Sequence, residues 1–80
     1  MSRKRFKAKG GSIDWTAVGR RIRELRGFDM TQEEFASRIG VSQSYLSAVE
    51  HGRNEAGAEV LLAISREFGK SIEWLLIGDA

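Results

Sequence analysis

The stretch from Thr31 to Ser42 constrains the fold more than any other part of the chain. Thr31 and Glu34 form a T-x-x-E capping box, and Met30 and Phe35 occupy the two positions of a hydrophobic staple, so a helix is expected to start at Thr31. Gly40 can adopt the left-handed conformation that ends a helix. Only Val41 separates it from Ser42, a favourable N-cap, with Val41 and Leu46 as a second staple. A helix stop and a helix start one residue apart leave no room for a loop, so the two helices must cross steeply in a helix-turn-helix running from Thr31 to about Gly52. The residue types at the crossing suit it: Ala36 lets the backbones approach, while Phe35, Leu46 and Val49 point inward.

The flanking sequence has the same character. The chain has 80 residues and no proline, and short segments of helical period alternate with glycines. A first helix is expected from about Ile13 to Arg26, capped by Ser12 or Asp14. Trp15, Val18, Ile22 and Leu25 would lie on its buried face, and Arg20, Arg21 and Arg23 in solvent. Arg53 to Ala56 form a polar connection to a fourth helix that begins after Gly57 and carries Leu61, Ile64 and Phe68. Gly69 stops it, Ser71 caps a short fifth helix from Ile72 to Ile77, and Gly78 ends the domain. The expectation is one all-α, five-helix domain over residues 13–80, preceded by a flexible basic arm over residues 1–12.

Composition narrows the chemistry. With 41% hydrophobic and 30% charged residues the chain falls among soluble globular domains. It has no cysteine and a single histidine, so neither a disulfide framework nor a zinc site is expected, and no cofactor. No apolar run approaches the roughly 18 residues of a membrane span, and a reducing, cytoplasmic setting is expected. Nothing suggests catalysis, for want of a paired-carboxylate site or a phosphate-cradling glycine loop. The net charge of +2 is unevenly spread: Arg3, Lys4, Arg5, Lys7 and Lys9 stand in an arm without acids, so the rest of the chain carries a net −3. Composition alone therefore does not argue for nucleic acid, and the local motif has to carry that case.

In the phrases VGRRIRELR, MTQEEFASRIGVSQSYLSAVEHGR and LLAISREFGKSIEWLLIGD the chain resembles the lambda-repressor-like family of phage repressors, Cro proteins and XRE-type regulators, over about Val18 to Asp79. It departs from the common pattern in a shorter link after the first helix and in Ala56-Gly57, where a proline-serine pair is frequent. The resemblance implies a transcriptional regulator, a repressor acting as a homodimer on double-stranded DNA and associated with the nucleoid, with no small-molecule ligand. Its recognition helix would be Gln43 to His51. Gln32 would hold a backbone phosphate and brace the first residue of that helix, and Arg26 and Glu50 would form an ion pair between the first and third helices. Domains of this type also serve as antitoxins or adaptors, which is the rival reading.

Once Leu46 and Val49 are assigned to the core, the outward face of the third helix consists of Gln43, Ser44, Ser47 and Ala48. Glutamine can pair bidentately with adenine, serine can bond several bases, and alanine can touch a thymine methyl. Gln32 stands at a helix start, where free N–H groups and the helix dipole favour an anion. Arg53, Asn54 and Tyr45 are further candidates for the DNA backbone, with a Tyr45 ring packed over the second helix as the alternative. The basic arm would wrap the duplex or stay disordered. His51 reads as a residue suited to a helix C-terminus, and Trp15 and Trp74 as packing residues. In the fifth helix, if Ile72, Leu75 and Leu76 face inward, Trp74 and Ile77 remain for a dimer interface, with Trp74 folded back against Trp15 as the alternative.

Overall fold

The computed structural model describes residues 12–78, and the arm residues Arg3, Lys4, Arg5, Lys7 and Lys9 lie outside them. Among the described residues there are five helices: α1 Trp15–Arg26, α2 Gln32–Ile39, α3 Gln43–Glu50, α4 Ala58–Phe68 and α5 Ile72–Ile77. No helix is long and apolar enough to cross a membrane, and no cluster of potential metal ligands occurs among these residues.

The helix boundaries follow from caps. Thr31 Oγ1 accepts from the Glu34 N–H at 3.0 Å, and the Glu34 carboxylate accepts from the Thr31 N–H at 2.9 Å, closing the capping box. Gly40 ends α2 at φ 79° and ψ 30°, the left-handed region, and Ser42 Oγ opens α3 by accepting from the Tyr45 N–H at 3.0 Å. Ser71 caps α5 in the same way through the Trp74 N–H. Two boundaries differ by a residue or two from expectation. α1 starts at Trp15, because the Asp14 carboxylate takes the N–H groups of Thr16 and Ala17. α3 ends at Glu50, with His51 as its C-cap.

The main helix contacts close into a ring: α1 packs on α3, α3 on α2, α2 on α4, α4 on α5, and α5 back on α1. Val18, Ile22, Phe35, Leu46, Val49, Ile64 and Leu75 fill its centre and are completely or almost completely buried. Each such side chain contributes about 1.5–3 kcal/mol by leaving water. Phe68 covers the edge of this core by stacking on Phe35, with ring centroids 4.6 Å apart. Ala56, expected in a polar loop, is buried. Trp15 and Leu25 are only half-buried, so the buried face of α1 is centred on Ala17, Val18, Gly19 and Ile22.

Gly19 is the residue that sets how close α1 comes to α3. A Cβ built there would overlap the Val49 carbonyl oxygen and lie 2.6 Å from that of Glu50. The two backbones are thus in contact, and glycine is required for space rather than for its dihedral freedom. Arg21, expected in solvent, instead donates from its guanidinium to the Leu75 carbonyl at 2.9 Å and ties α1 to α5.

Candidate nucleic-acid interface

At about 100° per residue, Gln43, Ser44, Ser47, Ala48 and His51 fall on one side of α3, whereas Leu46, Val49 and Glu50 fall on the other. The structure agrees: Leu46, Val49 and Glu50 are buried, Gln43, Ser44 and His51 are exposed, and Ser47 and Ala48 are half-buried. The outward face offers the Gln43 amide, the serine hydroxyls and a methyl, with the His51 ring at its C-terminal end.

This face is anchored from behind by Glu50, whose side chain is only 1% exposed. Arg26 grips the carboxylate with two parallel bonds, Nε to Oε2 and a terminal nitrogen to Oε1, both 2.9 Å. The other terminal nitrogen of Arg26 donates to the Met30 carbonyl at 3.3 Å, which ties in the link between α1 and α2. Gln32 Nε2 donates to Glu50 Oε1 at 2.9 Å. Burial alone would push the Glu50 carboxyl up. The hydrogen bonds from Arg26 and Gln32, with the charges of Arg26 and Arg23, outweigh it and hold the group below its ordinary value. Arg26 in turn is pushed up, mainly by its bond to Glu50. The pair is therefore ionised at neutral pH.

Gln32 reaches in two directions. Its Nε2 meets Glu50, and its Oε1 accepts from Gln43 Nε2 at 3.4 Å, so the start of α2 and the start of α3 are joined through side chains. The capping box takes the N–H groups of Thr31 and Glu34 and leaves those of Gln32 and Glu33 as free donors of the first turn of α2. Arg53 and Asn54 are held at the other end of α3, because both of their N–H groups bond the Ala48 carbonyl, at 2.8 and 3.3 Å. Gly52 permits this return at φ 76°, and a Cβ there would meet Thr16 Oγ1 at 2.7 Å. Both side chains are exposed.

Three more side chains have definite partners, and those of His51 and Trp74 suit the C-terminal and packing roles expected of them. Tyr45 does not offer its hydroxyl outward: it donates to the Glu55 carbonyl at 3.3 Å and accepts from the Gly57 N–H at 3.2 Å. In the free chain its hydroxyl thereby clasps the loop before α4, and its half-buried ring packs on the core. His51 Nδ1 lies 2.8 Å from the Ser47 carbonyl; since a carbonyl only accepts, Nδ1 carries the proton and the ring is folded back on its own helix. Trp74 is half-buried against the core with Lys70 Nζ 4.6 Å from its ring centre, whereas Ile77 is 53% exposed, so the two residues expected to share a surface differ in exposure. Arg23, expected in solvent and exposed there, also acts by its charge on Glu50. With Arg20 and Arg26 it lines an open groove ending at Phe28, which is fully exposed.

The arrangement is a rigid pair of helices with a braced, shallow polar face, an open helix N-terminus at one end and exposed loop polars at the other. The model of the helix-turn-helix family matches residues 20–75. The chain belongs to this lambda-repressor-like helix-turn-helix family. It is a family of DNA-binding transcriptional regulators, not a class of enzymes.

An HTH-type transcriptional regulator of Archaeoglobus fulgidus is 38% identical over 60 residues, which are 74% of this chain and 84% of that one. A propionyl-CoA carboxylase regulator of Cereibacter sphaeroides is also 38% identical, over 64 residues, but the match spans 79% of this chain and only 14% of that protein. Among solved structures, the P22 c2 repressor in complex with a synthetic operator is similar, with a TM-score of 0.72 and 35% identity over 78% of this chain and 96% of that one.

Proposed function

We propose that this regulator is a sequence-specific repressor that binds a palindromic operator as a homodimer, with α3 of each protomer in a major groove. The observation that carries the reading is the joint of Gln32 and Gln43 over a buried Arg26–Glu50 pair: a polar surface built with an interior hydrogen-bond network behind it is shaped to hold a side chain for reading. Gln43, Ser44, Ser47 and Ala48 face base edges, and Gln43 carries the largest share of discrimination. Gln32, with the N–H groups at the start of α2, meets one phosphate, while Arg53 and Asn54 meet the backbone at the far end of α3. Ile77, the exposed apolar residue of α5, contributes to the two-fold contact that sets two recognition helices about 34 Å apart. The arm residues Arg3, Lys4, Arg5, Lys7 and Lys9 add electrostatic affinity along the duplex, and a cytoplasmic protein bound to the nucleoid is the setting that fits.

The test is selection of duplexes from a random pool, followed by titration of the selected site at several salt concentrations. Enrichment of a two-fold site, with log affinity falling linearly as log salt rises, is the expected result. Failure to enrich any sequence would favour the antitoxin or adaptor reading, in which the same fold binds a protein.

A further inference from the structure

Glu50 governs the direction of the hydrogen bonds that end at Gln43. Its ionised carboxylate can only accept, so Gln32 must turn its donor, Nε2, toward Glu50 Oε1. The amide of Gln32 has donor and acceptor on opposite arms, and Oε1 is left facing the other way, where it takes a proton from Gln43 Nε2. One constraint thus passes from the interior to the surface. The Nε2 arm of Gln43 is held toward α2 and its Oε1 arm away from it. An exposed glutamine without such a brace turns its amide over freely, because the two arms are nearly the same size.

We infer that Glu50 is a positioning residue for specificity: acting through Gln32, it selects the amide orientation of Gln43 and so makes that residue read adenine rather than guanine. The inference rests on the DNA-binding reading and deepens it. The second Nε2 proton of Gln43 and its Oε1 together present a donor and an acceptor in fixed order. Adenine offers the matching acceptor N7 and donor N6–H2, whereas guanine offers two acceptors, N7 and O6. An amide free to turn over satisfies either purine in part. An amide held one way pairs fully with adenine and sets its oxygen against O6 of guanine. Arg26 acts one step further back, by keeping a buried carboxylate ionised.

The experiment compares the full chain with Glu50→Gln and Gln32→Met, each alone and in a Gln43→Ala background, by selection from random duplexes. The expected result is that either single change lowers the adenine-to-guanine ratio at one position per half-site by about fivefold, the scale of one hydrogen bond. In the Gln43→Ala background neither change should move that ratio, since no amide remains to orient. A merely structural role would weaken all sequences alike. The chain has only three side-chain amides, Gln32, Gln43 and Asn54, so NMR of the DNA-free protein reads the relay independently. The Gln32 pair should be shifted and protected from exchange relative to Asn54. A Gln32 pair indistinguishable from that of Asn54 overturns the inference even where Glu50→Gln does not fold. An unchanged ratio in folded variants that still bind overturns this inference alone, and a wild type that enriches nothing overturns the DNA-binding reading as well.

Discussion

Replacing Gly19 by alanine sets two effects of opposite sign against each other. Alanine in a helix interior is favoured over glycine by about 0.8–1.0 kcal/mol, so propensity alone predicts a stabilised protein. The structure predicts the reverse. The added Cβ would overlap the Val49 carbonyl oxygen and lie 2.6 Å from the Glu50 oxygen, both backbone atoms at the end of α3. Relief requires α1 and α3 to part by several tenths of an ångström along a contact that also carries Val18 and Ile22. Overpacking of this kind costs about 1–3 kcal/mol. Subtracting the propensity gain leaves a net loss of up to about 2 kcal/mol, and for a domain this small each kcal/mol lowers the melting temperature by about 4–8 °C. The same displacement would pull Glu50 away from Arg26, which pushes the result toward the upper end. Urea unfolding of Gly19→Ala should show a lowered midpoint with an unchanged m value. A midpoint equal to or above that of wild type would refute the claim that the two helices touch through their backbones.

The Arg26–Glu50 pair should be asymmetric to mutation: Arg26→Ala is expected to cost about 3 kcal/mol and Glu50→Ala less, because the Glu50 side chain is 1% exposed and that of Arg26 17%. The double mutant should lose less than the sum, and strict additivity in urea unfolding would mean that the two do not interact. Because the folded Glu50 carboxyl titrates below the unfolded value of about 4.3, its stabilisation is complete above that pH and is lost as pH falls through the folded value. Between pH 5 and 3, wild type should therefore lose stability faster than Glu50→Gln, and parallel pH profiles would contradict the assignment. Removing Arg53 should weaken binding to all sequences alike and reduce the salt slope by about one, whereas an altered base preference would place it at a base edge. The proposed α5 contact predicts a wild type that dimerises and an Ile77→Ser variant that is monomeric yet folded, as sedimentation and circular dichroism would show, and a wild type that stays monomeric at high micromolar concentration would rule the contact out.

What could be read from the sequence was what is decided within a few residues. The capping box of Thr31 and Glu34, the stop at Gly40 and the cap at Ser42 each join groups three or four positions apart, and their residue types have few other uses. The inward side of α3 followed from periodicity once Leu46 and Val49 were placed, and the outward residues followed by subtraction. The features that escaped are those in which a side chain reaches across the fold. Arg21 finds the Leu75 carbonyl 54 residues away, and no local rule separates it from the solvated Arg20 beside it. Tyr45 gives its hydroxyl to Glu55 and Gly57, which only the folded path of the loop brings near. For Gly19 a signal did exist, since an isolated glycine inside a helical stripe carries a propensity cost that some contact must offset, but the sequence does not say which helix makes that contact. Gln32 lies between these cases. Its place at a helix start makes it a candidate for phosphate, yet its geometric role depends on Glu50, eighteen positions further on, being buried and ionised. A residue that both helices need to hold can be legible as important while the direction of its hydrogen bonds is not, because direction is set by the one partner that can only accept.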